Sequence, residues 1–141
     1  MILMLAFIGC ITYAGAQTIT ITQTDVPVPV ATSYNYNFTN HSDVTWTKVN
    51  GNYVAHLDLN GNKTLVTYDD KGNRIETEMA ISPLALPRTA YNYLMKNYMD
   101  QVISGTARMT DGAGTLTYKA EESGMYLIFD ANGNYLRTVT K

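Results

Sequence analysis

The chain has 141 residues and a single cysteine, Cys10, so no disulfide can form within it. It also lacks an excess of either charge. Ten Lys+Arg stand against twelve Asp+Glu, a formal net charge of −2, which gives no electrostatic reason to expect nucleic acid or an anionic membrane as partner. Histidine is scarce, at two. His41 falls in an expected loop and His56 on the outward side of an expected strand; both read as solvated imidazoles, too few for a zinc centre. There is no serine nucleophile motif, and no glycine-rich loop opens a helix after a strand. No catalytic, cofactor-binding or metal-binding residue is therefore assigned, no cofactor is expected, and the chain reads as a non-enzyme.

What is present is a strand-forming composition, with 11 tyrosines and only 16% charged residues. The start is different. Residues 1–16 are apolar and uncharged and end in Ala14-Gly15-Ala16, the pattern of a secretory signal peptide with its small-residue cleavage site. The basic segment that normally begins such a peptide is missing, as expected if the true start codon lies upstream of Met1. Two alternatives stay open: lipidation at Gly9-Cys10, although Phe7 stands where a Leu is usual, and a buried N-terminal strand or helix. The signal reading predicts an exported, periplasmic protein; the alternatives in location are an outer-membrane lipoprotein held through Cys10, and a secreted protein. No transmembrane segment is expected in the mature chain.

Residues 17–25 are polar and Thr-rich and read as a flexible arm. Val30, Tyr34 and Phe38 then recur at four-residue spacing, predicting a helix from about Pro27 to Asn37. From Val44 the period falls to two. Four alternating runs, ending near Val49, Leu59, Tyr68 and Ile81, are separated by Asn50-Gly51, Asn60-Gly61 and Asp69-Asp70-Lys71-Gly72, which are hairpin turns. A second helix begins at Pro87, with Ala90, Leu94 and Tyr98 on one face, and four more strands follow. The Asp-rich turns at Asp69 and Asp130 are too short for a calcium loop and lack its final Glu.

The second half matches the first. Val26-Pro27 aligns with Leu86-Pro87 at a shift of 60, and Tyr68-Asp69 with Phe129-Asp130 at a shift of 61. The fold expected is α+β, a tandem duplicated helix-plus-four-stranded antiparallel meander (α-β4-α-β4) with helices on one face of the sheets. The first repeat spans 26–81 and the second 82–141. The helix-facing residues expected are Tyr53, Ala55, Leu57, Leu59, Val66, Tyr68, Ile75 and Thr77, then Leu116, Tyr118, Ala120, Leu127, Phe129, Leu136 and Thr138.

Val26-Pro27, the aromatic-bearing helix, Val44-x-Trp46, Gly51-Asn-Tyr53, Tyr68-Asp-x-x-Gly72-Asn73, Glu76-Thr-Glu78 and Leu86-Pro87 together resemble the PepSY-like, β-lactamase-inhibitor-like exported proteins of Gram-negative bacteria. The likeness runs from about Val26 to the C-terminus. It implies sheets forming a curved surface with helices behind, residence in the periplasm or at the surface, and binding or inhibition of another protein. The departures are the Pro-Val-Pro insert, the Asn-rich first helix and the order Asn37-Phe38-Thr39-Asn40, where such sequences often carry a Tyr-Pro pair.

Alternation places Val54, His56, Leu65, Arg74 and Glu76, and in the second half Tyr126, Ile128, Tyr135, Arg137 and Val139, on the face away from the helices. Two tyrosines and two β-branched residues on a face that water should wet make it the candidate binding surface, for an envelope or secreted protein. The competing explanation is that the sheets curve or pair and cover each other. The function expected is a non-catalytic protein-binding module, an inhibitor or regulator of an envelope enzyme; the alternative is a structural protein, or one that binds a small ligand such as a peptide or lipid.

Overall fold

The computed structural model describes residues 17–141; the expected signal peptide over 1–16, with Cys10, lies outside them. Nine antiparallel strands form one continuous sheet in chain order. They are β1 (Thr18–Ile21), β2 (Thr45–Val49), β3 (Asn52–Leu59), β4 (Asn62–Tyr68), β5 (Arg74–Ala80), β6 (Ile103–Asp111), β7 (Leu116–Glu122), β8 (Met125–Asp130) and β9 (Tyr135–Thr140). Helix α1 (Val28–Asn37) lies between β1 and β2 in the chain, and α2 (Arg88–Asn97) between β5 and β6.

This overturns the tandem α-β4-α-β4 arrangement. The chain does not divide into two modules with a sheet each. β5 pairs with β6 from Glu76↔Asp111 to Ala80↔Ala107, and the seam carries a full ladder. The reason lies in the edges. Two separate four-stranded sheets would leave four rows of unpaired backbone groups, and joining β5 to β6 satisfies two of those rows. Hydrophobic periodicity reports faces and is blind to edges. A second difference lies at the start: Thr18–Ile21, expected within a loose arm, pairs as β1 with β2, so Ile21 stands opposite Trp46.

Both helices sit on one side of the sheet. The α1 cluster buries Val30 and Tyr34 against Trp46, Ala55, Val66 and Tyr68. The α2 cluster buries Ala90 and Leu94 against Ala120, Leu127 and Phe129. The polar atoms of these cores are mostly spoken for. Trp46 Nε1 donates to Gln23 Oε1 at 2.7 Å, and the Tyr34 hydroxyl donates to the His41 carbonyl at 3.0 Å. The segment leading into α2 is tied to β6 twice: Thr106 Oγ1 donates to the Ile81 carbonyl at 2.6 Å, and Ile81 N–H donates to that of Thr106 at 3.0 Å.

The Asp-rich turns are built by their own carboxylates. Asp69 Oδ1 accepts from the backbone of Lys71 and Asn73, and Asp130 Oδ1 from that of Asn132 and Asn134, all at 2.9 Å. Both turns tuck under a helix start. A Cβ on Gly72 would stand 2.4 Å from the Pro29 carbonyl oxygen, and one on Gly133 2.7 Å from Ala90 N.

Candidate functional site

Register decides which side chains share a face. Eight of the ten candidate residues lie on the side away from the helices, which we term the outer face. Val54 stands opposite Thr67, His56 opposite Leu65, Tyr126 opposite Val139, and Ile128 opposite Arg137. The other two, Arg74 and Tyr135, are on the helix side. A bulge in the β4–β5 ladder pairs Tyr68 with Arg74 and Thr67 with Glu76, so Ile75 is the extra residue. A second bulge pairs Phe129 with Tyr135 and Ile128 with Arg137, leaving Leu136 over. One inserted residue inverts every side chain beyond it. Tyr135 accordingly stacks on Tyr93 of α2, with ring centroids 5.0 Å apart and planes 5° apart. Ile75 and Leu136, expected in the core, are 40% and 48% exposed for the same reason.

The outer face is less open than alternation suggests. Val54 is 8% exposed and Ile128 5%, and Ala107 and Met109 are also buried, although none of them belongs to a helix-packed cluster. Their cross-strand neighbours enclose them: Ile128 lies between Lys119 and Arg137, and Met109 between Glu78 and Thr117. Long charged side chains lay their aliphatic stems over such residues and keep their heads in water. Lys119 reaches across β6 to Glu78 at 2.5 Å.

At the β7–β9 end the face carries a charged, aromatic group. Lys119 Nζ lies 4.5 Å from the Tyr126 ring centroid and Lys141 Nζ 5.3 Å, and Lys141 is also paired with Glu121. Arg137 and Val139 beside it are exposed. Around the β5–β6 seam the outer face is acidic. Burial, and then the neighbouring Glu78, push the Glu76 carboxyl above its usual range, while Lys119 opposes.

His56 is half-buried rather than freely solvated. Its Nε2 lies 2.8 Å from Thr47 Oγ1, and burial lowers its pKa. Among the described residues no group of three or more His, Cys, Asp or Glu could hold a metal ion, and no helix is long and apolar enough to cross a membrane.

Sequence reasoning missed a second feature, on the helix side. Neither helix-packed cluster includes any residue of β5, and of β6 only Ile103 packs against one of them. The gap between them holds a cavity of about 220 Å³ lined by Arg74, Thr77, Met79, Arg108 and Thr110. The bulge at Ile75 brings Arg74 into its lining, and nothing in a single alternating run marks a bulge.

No sequence-family model matches the chain, so the PepSY part of the resemblance has no support. No curated protein matches it either. Solved structures do share the fold. A protein from Bacteroides eggerthii described as periplasmic superposes with a TM-score of 0.75 at 15% identity, over 82% of this chain and 88% of its own. A DUF2874 family protein from Bacteroides uniformis does so with a TM-score of 0.74 at 16% identity, over 81% and 88%. A BLIP-like protein from Bacteroides fragilis gives 0.64 at 19% identity, over 79% and 84%. At these identities the likeness is one of fold, and the β-lactamase-inhibitor-like part of the resemblance agrees with it at that level.

Proposed function

We propose that this is an exported, periplasmic protein-binding module that engages an envelope or secreted protein through the outer sheet face, as an inhibitor or regulator without chemistry of its own. The observation that carries this reading is the cluster on β7–β9: Tyr126 flanked by two lysines, with Arg137 and Val139 exposed beside it on a face that neither helix covers. Tyrosine supplies large contact area at low entropic cost, and tyrosine and arginine are both enriched among interface hot spots. The fold shared with a periplasmic protein and a BLIP-like protein supports the same location and mode. Val54, His56, Leu65 and Ile128 would then form the floor of the contact, and Tyr126 and Arg137 its anchors.

The test is a pair of variants captured against a periplasmic extract. Tyr126→Ala with Arg137→Ala should keep the circular dichroism spectrum and lose the captured protein. Tyr135→Ala removes a ring from the helix side, so it should lower the melting temperature and leave capture intact below that temperature. Equal capture by the first variant and the native protein would exclude this face.

A further inference from the structure

The other side of the sheet carries a site that does not depend on the outer face. On β5 and β6 the charges are sorted by side. The acids Glu76, Glu78 and Asp111 take outer positions, and the bases Arg74 and Arg108 take helix-side ones. The half-open cavity between the two helix-packed clusters is therefore lined by two arginines, both exposed to solvent, and by no carboxylate. Its floor follows from the register. Thr77 faces Thr110 across the seam, Arg108 stands one step to one side, opposite Met79, and Arg74 lies beyond Thr77 on the other. Neither arginine has an ion pair among the described residues.

A second observation points to a missing partner. The Thr77 hydroxyl is buried, lies on a residue lining this cavity, and has no hydrogen-bond partner. The hydroxyl of Tyr68, the residue opposite Arg74, is likewise buried and unpartnered, on a side chain that is 0% exposed. A buried hydroxyl left unpaired costs stability, and Thr77, which lines the cavity, can turn its hydroxyl toward a ligand there by rotation about χ1, whereas Tyr68 does not line it.

We propose that this cavity binds a phosphoryl group, held at its two ends by Arg74 and Arg108 and from the floor by the Thr77 hydroxyl. A guanidinium matches two oxygens of such a group at once, and two guanidiniums match a dianion. A monocarboxylate offers one charge and two oxygens, and leaves one arginine unmatched. The volume leaves space for a small organic group on a phosphate ester. Free phosphate and a phosphate ester share this chemistry, and the experiment separates them.

Calorimetric titrations of the native chain with inorganic phosphate, phenyl phosphate and succinate, at fixed ionic strength, test the proposal. Saturable binding of either phosphate compound is expected, with Arg74→Gln plus Arg108→Gln weakening it by roughly tenfold or more. Thr77→Val should weaken it by about threefold or more, and should not lower the melting temperature of the unliganded protein. Tighter binding of phenyl phosphate identifies an ester as the ligand, and tighter binding of inorganic phosphate identifies the free ion. No saturable phosphate binding, a preference for succinate, or unchanged affinity in the double variant would overturn the assignment. Binding here with the outer face substituted, or capture by the outer face with Arg74 and Arg108 substituted, shows that the two sites stand or fall separately.

Discussion

His56 shows how much partial burial alters a residue that composition alone would leave to solvent. Its ring is half-buried on the outer face against Thr47. Burial penalises the imidazolium, so the folded pKa lies below the ordinary 6.5. Between those two values the unfolded chain binds more protons than the folded one, and stability falls as pH drops below about 6.5. His56→Gln should remove that part of the slope. Urea midpoints measured from pH 7.5 to 5 would show it, and a native slope retained in the variant would assign the effect elsewhere. Asp69, Asp111 and Asp130 act at lower pH. Hydrogen bonds hold all three carboxyls below the usual value of 3.8, those from Asn73 and Asn134 leading for Asp69 and Asp130, and that from the Thr115 backbone for Asp111. Their contribution is complete above that value and is lost as pH falls below it.

At the scale of elements, the helices and eight of the nine strands follow from the pattern, each within one or two residues of its expected bounds at the ends that were set. The periods of 3.6 and 2 are strong signals where one face is buried. β1 was not legible, because Thr-Ile-Thr-Ile is only four residues long and gives no sign of the edge it will cover. The two bulges were not legible either, and they moved Arg74 and Tyr135 off the candidate face. Eight of the ten candidate residues were therefore placed by alternation, and the cavity between the clusters was invisible to it. The turns were read correctly as turns, but their tertiary role was hidden. Gly51 and Gly61 have positive φ with open space around them, whereas Gly72 has positive φ and its missing Cβ faces the Pro29 carbonyl. Gly51→Ala should thus cost only the left-handed backbone, roughly 1 kcal/mol. Gly72→Ala adds a clash with backbone at the start of α1 and should cost about 2 kcal/mol or more. Parallel denaturation of the two variants would show the gap, and equal losses would mean the turn does not press on the helix as described.

For the whole molecule, the seam between β5 and β6 matters most. Each helix covers its own part of the sheet, and the two clusters share no residue. Packing alone would let the halves unfold separately. The ladder from Glu76↔Asp111 to Ala80↔Ala107, and the double tie between Ile81 and Thr106, oppose that. If one half melted, β5 or β6 would become an open edge with its hydrogen bonds returned to water, so each half raises the stability of the other. The single tryptophan makes this measurable, because Trp46 belongs to the α1 cluster. Leu94 is 1% exposed in the α2 cluster, and Leu94→Ala should cost about 2–5 kcal/mol by leaving a cavity there. With one cooperative sheet, the midpoint of Trp46 fluorescence in urea must move by as much as the far-ultraviolet midpoint, although the substitution lies in the other cluster. A Trp46 midpoint that stays in place while the far-ultraviolet signal splits into two transitions would mean that the ladder joins the halves without coupling them.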